Sequence, residues 1–520
     1  MIETALWGGS LRCVQALVLA APTILVSLFV TGLLARLFGP KLTRQLYGGS
    51  GWRSLVQSWT LGMLLPGCSL GVIPISRELC RAGLGGSAVL AFALTQPLFD
   101  PLSVLYGLTL GKPLIVFAFA GCSLVLVMVV GSLWDRLHPD SPALEPMPVP
   151  VQAGWPRLLS ILLVVLREAA GPTMVYVGIG LMGTALLGAL LPFGALSRAM
   201  NGGNPWAPWT MTWVAIPAYA TPTLAMSQLG SMFQHANSAG AALQLLTLGA
   251  GLNLGLLAWI LATYGWRRTL TWMGLLLVAS LSMAYALDRP LHPRDVEPAD
   301  HTHAFDIYCC PFHANETHLA PLAQQRFREA LALPQVIPVG ILGALMLLGA
   351  VLQVVDPQHR LEKWLEVAEV SRAASRYDVH IPAPVVGGLL LIGVVAMSIV
   401  GCFAYYPHKH EVFQEMQMVR AEALLAANLM DARKAAHYIQ LWDAWTRRLE
   451  VGVFLREWHL TPYQKIKAKI LRDKLELLRH EVESDDHEAT KIMIRQVNDA
   501  YVRLQKAFNP PTPPLLSRDE

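Results

Sequence analysis

Charge-free apolar runs recur along the chain at residues 13–35, 54–76, 82–111, 113–134, 169–197, 199–266, 269–287, 330–355 and 380–408, with Asp100 the one charged residue inside them. A helix needs about 20 such residues to cross the hydrocarbon core of a bilayer, where its backbone must satisfy its own hydrogen bonds. Because 199–266 is long enough for two spans, the pattern predicts roughly ten transmembrane helices. Gly and Pro interrupt the helical signal in two places, residues 62–74 and 217–222. Breaks at membrane depth are tolerated where the freed backbone faces protein or a water-filled cavity, which is how transporters build binding sites. A Pro kink is the competing reading.

After about residue 407 the pattern changes. Val419, Leu424, Leu425 and Leu429 recur at helical spacing with charges between them, which predicts a soluble bundle of amphipathic helices. Thr461-Pro462 reads as an N-cap with Pro at the first helical position, and the Pro-rich stretch from Asn509 reads as disordered.

Sliding the chain against itself lays Gly48-Gly49-x-x-Trp52 on Gly202-Gly203-x-x-Trp206 and Gly86 on Gly240 at one offset, 154. Ser69 then falls on Thr223 and Leu70 on Leu224, so the two interrupted segments coincide. Interrupted helices in matching places of two copies point to a site at the repeat interface. The expected organisation is repeat 1 at 1–135, a linker at 136–156, repeat 2 at 157–287, a hydrophilic loop at 288–329, two further transmembrane helices within 330–406, a helical tail at 407–508 and a disordered end at 509–520.

Composition sharpens this picture. The chain is 54% hydrophobic and only 15% charged, against about 25% charged in soluble domains. A net charge of +4 without a basic block interleaved with aromatics excludes a nucleic-acid surface. The seven cysteines lie mostly in apolar runs and imply no disulfide framework. The first run follows no basic leader and is read as a retained membrane helix, so the lipid bilayer is the first partner. No phosphate-binding Gly-x-x-x-x-Gly-Lys-Ser/Thr loop occurs, nor a Gly-x-Ser-x-Gly or His-Glu-x-x-His element, so neither ATP-driven transport nor a membrane hydrolase is supported.

The sharpest local signal is Pro66-Gly67-Cys68-Ser69-Leu70-Gly71-Val72-Ile73-Pro74, followed by Arg77, Gly83, Gly86 and then Gln96-Pro97-Leu98-Phe99-Asp100-Pro101. Over roughly residues 11–287 this resembles the predicted permease family that includes organoarsenical efflux permeases. That family is marked by Cys-Ser-Cys-Gly-Val-x-Pro, a small-residue helix leading to a Pro-containing element, and a related second copy. Leu70 stands where many relatives carry the second cysteine, so only Cys68 carries over as a thiol. The resemblance implies export of a small solute, with a metalloid or metal complex as the substrate class.

In the residues themselves, Cys68 offers a soft sulfur, while Ser69 and the backbone around Gly71 and Pro74 offer polar contacts. Asp100, between Pro97 and Pro101, is the candidate for proton or cation coupling, because an ionisable group in such a run is costly unless it faces a cavity or partner. At the 154 offset its counterpart is Leu254, with Gln96 and Asn253 bringing amides to nearby positions. The second copy adds Thr221, Pro222 and Thr223. Arg167-Glu168 is read as an interfacial pair of opposite charges rather than an intramembrane ion pair.

A separate constellation occupies the hydrophilic loop: His301, His303, Cys309, Cys310 and His313. Imidazole and thiolate at these spacings suit Zn or Cu, with an ordered, metal-free loop as the competing reading.

The expectation is therefore an all-α polytopic inner-membrane permease. It has two tandem related bundles with Gly/Pro-interrupted helices, two further spans and a helical tail, and it acts as a secondary transporter rather than an enzyme. Two rivals remain: a membrane-bound metal or redox protein using the His/Cys loop, and a scaffold or sensor whose tail binds a protein partner.

Overall fold

The computed structural model describes residues 2–48, 51–110, 113–139, 155–192, 194–293, 305–312, 319–331, 335–367 and 383–509. Helices account for nearly all of it, and among the described residues the only β pairing is an isolated bridge between Asn201 and Asn237.

The first half opens with α1 (Ile2–Leu33), which passes through a π-helical segment (Leu34–Phe38) into α2 (Gly39–Leu46). It continues as α3 (Trp52–Leu64), α4 (Val72–Arg81), α5 (Gly86–Thr95), α6 (Pro101–Leu110) and α7 (Pro113–Leu137). The second half runs through α8 (Trp155–Ala169), α9 (Pro172–Leu190), α10 (Ala195–Ala199), α11 (Ala207–Ala215), α12 (Pro222–Gln234) and α13 (Ala239–Gln244). A π-helical segment (Leu245–Ala250) extends α13, and α14 (Leu254–Tyr264) and α15 (Trp266–Leu291) complete the half. Beyond it come α16 (Leu319–Ala330), α17 (Val336–Val355), α18 (Arg360–Val367) and α19 (Ala383–Tyr405). The tail comprises α20 (Lys409–Asn428), α21 (Ala432–Glu457), α22 (Pro462–Glu483) and α23 (His487–Phe508).

Six helical stretches among the described residues are long and apolar enough to cross a membrane: Ile2–Leu46, Pro113–Leu137, Pro172–Leu190, Trp266–Leu291, Val336–Val355 and Val385–Tyr405. A seventh candidate is a pair, Ala239–Ala250 with Leu254–Tyr264, bent by 60°. The remaining apolar runs, which raised the expected count to about ten, are divided into short helices. The cause is local. Leu65 precedes Pro66, which disfavours the helical conformation, and Leu65 is extended with φ −85° and ψ 122°. Pro74, by contrast, sits in the first turn of α4, where a missing N–H costs no helical hydrogen bond.

The two halves share a further regularity. Helices α5, α6 and α7 begin at 86, 101 and 113, and α13, α14 and α15 begin at 239, 254 and 266, an offset of 153 throughout. This is one less than the offset that aligns the Gly-Gly-x-x-Trp blocks. Asp100, which precedes α6, therefore matches Asn253, which precedes α14, and not Leu254.

By compactness the chain divides into residues 1–104 with 114–398, and residues 105–113 with 399–520. The first unit is organised around α1 and α9, whose Ile24, Leu28, Val177 and Leu181 are buried together with Cys68, Leu70 and Tyr219. The second buries Trp442, Leu475, Tyr501 and Phe508 along the amphipathic faces of the tail helices. Thr461 caps α22 in a reciprocal capping box with Gln464, as the Thr-Pro signal predicted. Within this unit Arg447 donates to the Tyr106 hydroxyl at 3.0 Å.

Candidate transport site

Four chain breaks carry most of the residues singled out above: 65–71, 96–100, 216–221 and 251–253. Each is held open by its own chemistry. Asp100 caps α6: the Ser103 N–H donates to Asp100 Oδ1 at 2.6 Å, and the Asp100 N–H donates to Ser103 Oγ at 2.8 Å. Thr221 caps α12 by accepting from the Leu224 N–H at 3.2 Å, with Pro222 at the first helical position. Asn253 caps α14 through Oδ1, which accepts from the Leu256 N–H at 2.9 Å.

The breaks meet across the halves. Thr223 Oγ1 donates a long hydrogen bond, 3.5 Å, to Asp100 Oδ2. Gly180, midway along α9, has no room for a methyl group because Leu70 of the first break and Asn253 of the fourth both close on it. Leu94 and Leu98 press on Gly251 in the same way. Cys68 is fully buried, and its sulfur accepts from the Thr23 hydroxyl of α1 at 2.9 Å and from the Gly71 N–H at 3.3 Å. The Tyr219 hydroxyl, from the third break, faces Cys68 and Thr23. Gly67 lets the Gln96 side-chain amide lie against the backbone of the first break, and Gly71 lets α1 approach at Ser27.

Several polar atoms here are buried without a hydrogen-bond partner among the described residues: Ser69 Oγ, both amide atoms of Gln96 and Asn253 Nδ2. Burying such groups unpaired is costly, so natural proteins keep them where another polar species is served. Of the candidates from the sequence, Cys68, Ser69, Gly71, Gln96, Asp100, Pro222, Thr223 and Asn253 belong to this region, with Pro97 buried in the second break and Pro74 just inside α4. Thr23, Gly180 and Tyr219 were not legible, since a single hydroxyl or glycine in an apolar run carries no signature.

Helix α9 serves as a ruler for what lies on either side of these breaks. Toward its N-terminus, Thr173 Oγ1 donates to Glu168 Oε2 at 2.7 Å, and Arg77 of α4 donates to the two carboxylate oxygens of Glu168 at 2.9 and 3.2 Å. Arg167 turns the other way, to Asp356 and Glu362, so the adjacent opposite charges do not pair with each other. Toward the C-terminus of α9, Gly188 packs on Arg12 of α1, and Cys310 N–H donates to Leu191 O at 2.7 Å. Arg12 holds the loop there through the carbonyls of Cys309, at 2.9 Å, and Asp306.

Cys309 and Cys310 are thus remote from the breaks. Cys310 lies in an apolar cluster with Leu11, Phe312 and Leu322, and its thiol points to the Thr4 carbonyl. His301, His303 and His313 lie outside the described residues. Among the described residues no group of three His, Cys, Asp or Glu side chains could hold a metal ion.

A family model described as a predicted permease (ArsP_1) matches residues 12–288, more than half of the chain. The chain belongs to this permease family. The UPF0718 protein YcgR of Bacillus subtilis (strain 168) is 25% identical over 136 residues, covering 26% of this chain and 46% of the relative. The permease thus aligns with about half the length of that relative. No solved structure matches it. The family match runs from within α1 to within α15, so all four breaks lie inside it, while α16 to α23 lie beyond. Together with the apolar helices, it makes the chain a multi-pass membrane protein of the permease class.

Proposed function

We propose that this permease is a secondary transporter of the cell's inner membrane that exports a small solute, with a metalloid compound or metal complex as the substrate class. The observation that carries the reading is the meeting of breaks from both halves: Leu70, Asn253 and Pro217 close on Gly180 and Gly183 in the middle of α9, and the second break reaches Gly251 through Leu98 and Thr223 through Asp100. Interrupted helices from two related halves meeting at one level supply backbone and side-chain polar groups to a solute and let the halves rock about it. A duplication relating the halves is part of this reading, supported by three consecutive helix starts offset by 153.

Each side chain has a role in this account. Cys68 provides a soft ligand suited to a thiophilic solute, with Thr23 and Tyr219 supplying hydroxyls beside it. Ser69, Gln96 and Asn253 supply polar contacts, and Asp100 carries the coupling charge. The test is cellular accumulation of inorganic and methylated metalloids and of transition metals, read by elemental mass spectrometry in an efflux-deficient host with and without the protein. A selective fall that is abolished by Cys68→Ala supports export through this site; unchanged accumulation of every element contradicts the proposed substrate class.

A further inference from the structure

The charged cluster at the N-terminal end of α9 is absorbed by none of the roles above. Arg77 and Arg81 project from the C-terminal half of α4, with Glu78 between them, and Glu168 ends α8. Arg77 pairs with Glu168 at 2.9 Å, Arg81 with Glu78 at 2.5 Å, and Arg81 also approaches Glu168 at 4.0 Å. Thr173 completes the cluster from the first turn of α9. Two arginines and two carboxylates leave it formally neutral.

Its location gives it meaning. Thr173 and Gly180 are seven residues apart on α9, or about 10 Å at the α-helical rise. The cluster therefore lies about two turns to one side of the converging breaks. Helix α4 joins the two levels, because its first turn follows directly from the Cys68 loop and its C-terminal half carries Arg77 and Arg81. The cluster also ties α4 of the first half to α8 and α9 of the second. At the opposite end of α9, Arg12 and the loop at Asp306–Cys310 make a second closure, from hydrogen bonds to backbone carbonyls.

Burial is graded across the cluster. Arg77 and Arg81 expose 27% and 21% of their side chains, while Glu168 exposes 9% and Glu78 1%. One oxygen of Glu78, Oε2, is buried without a hydrogen-bond partner. The arginines are thus the outer face, and the carboxylates are the inner face toward α9. The ionisable groups facing the carboxylates are Arg77 and Arg81, each carboxylate for the other, and the Cys80 thiol near Glu78, which meets the Tyr264 hydroxyl at 3.5 Å.

We propose that Arg77, Glu78, Arg81 and Glu168 form a proton-operated gate that closes the pathway at the N-terminal end of α9. A proton from the aqueous phase on that side binds Glu78 at its buried, unpartnered Oε2 and raises the cluster's net charge from zero to +1. Arg81 then loses the charge of its nearest carboxylate in a partly buried setting, where an uncompensated cation is strongly disfavoured, and competes with Arg77 for Glu168, so that α4 separates from α8 and α9. Loss of the proton restores the neutral pairing and recloses the gate. This inference rests on the transport reading, to which it adds a coupling site distinct from Asp100.

The test uses the full chain in lipid nanodiscs and reads hydrogen exchange of the segment spanning Leu65–Gly71 between pH 5 and 8, with labelling times scaled for the chemical exchange rate. Wild-type exchange is expected to rise on acidification. Glu78→Gln, which mimics the protonated carboxyl, is expected to exchange at pH 8 as fast as the wild type does at pH 5 and to lose the acid response. Arg81→Gln leaves Glu78 without its main charged partner, and the acid response is expected to set in at a higher pH than in the wild type. A monodisperse gel-filtration profile qualifies each variant, and either one alone decides. An exchange profile that ignores pH in the wild type, or an acid response identical in wild type and variant, overturns the gate. Because no solute is involved, a gate that responds in a protein that moves no solute would refute transport and not the gate.

Discussion

Thr223, in the first turn of α12, donates its hydroxyl to Asp100, the cap of α6, and so joins a break in one half of the permease to a break in the other. Asp100 serves two ends at once. One oxygen closes the first turn of its own helix and the other faces the opposite half. These tasks can be separated, because Asn caps a helix about as well as Asp, as Asn253 does for α14.

Asp100→Asn is expected to keep α6 capped, express as folded protein and lose coupled export. Asp100→Ala is expected to cost a further ~1 kcal/mol of stability through the lost cap. Parallel export assays and thermal unfolding in detergent check this pair. Normal export by Asp100→Asn would remove the charge from the mechanism.

Cys68→Ala is expected to abolish export of thiophilic solutes with a stability loss below about 2 kcal/mol. The Thr23 hydroxyl has a second acceptor, Ala20 O at 2.8 Å, so removing the sulfur costs only the long hydrogen bond from the Gly71 N–H at 3.3 Å. A large fall in melting temperature would show that the thiol is mainly a packing group.

Two glycines of α9 make a matched pair. Gly180→Ala drives a methyl into Leu70 and Asn253, which should cost about 1–3 kcal/mol through overpacking and impair export. Gly178→Ala meets nothing within 4 Å and should raise helix stability by about 0.5–1 kcal/mol. Thermal unfolding of the two variants side by side reads both effects.

The sequence carried the architecture further than the site. Apolar runs announced the long helices, and Pro66, Pro217 and Pro222 announced two of the four breaks, because backbone chemistry is written directly into residue type; those at 96–100 and 251–253 fall in stretches that read as continuous apolar runs. Thr461-Pro462 announced the start of α22 for the same reason. Partnership across the fold was not legible. Glu168 stands next to Arg167 in the chain yet pairs with Arg77, since adjacent helical residues point in different directions. The match of Asp100 with Asn253 at the 153 offset of the helix starts was hidden by a one-residue difference from the offset of the Gly-Gly-x-x-Trp blocks.

In the tail, Glu450 is buried against Arg472, and burial pushes its carboxyl up to about 7 despite the opposing pull of Arg472 and Arg447. The unfolded carboxyl titrates near 4.5. Between these values the folded tail binds more protons than the unfolded one, so this group's contribution makes stability fall as pH rises from about 4.5 to 7 and level off above. Glu450→Gln is expected to flatten that dependence. Hydrogen exchange of α21 and α22 across the same pH range in both proteins checks it.

Alternating exposure of the converging breaks is most directly tested at Cys68, retained as the sole cysteine and labelled with a membrane-impermeant thiol reagent in right-side-out and in inverted membrane vesicles. The account predicts slow labelling from both faces, slowed further by the exported solute. Labelling from one face alone, or from neither, would contradict a pathway through this site.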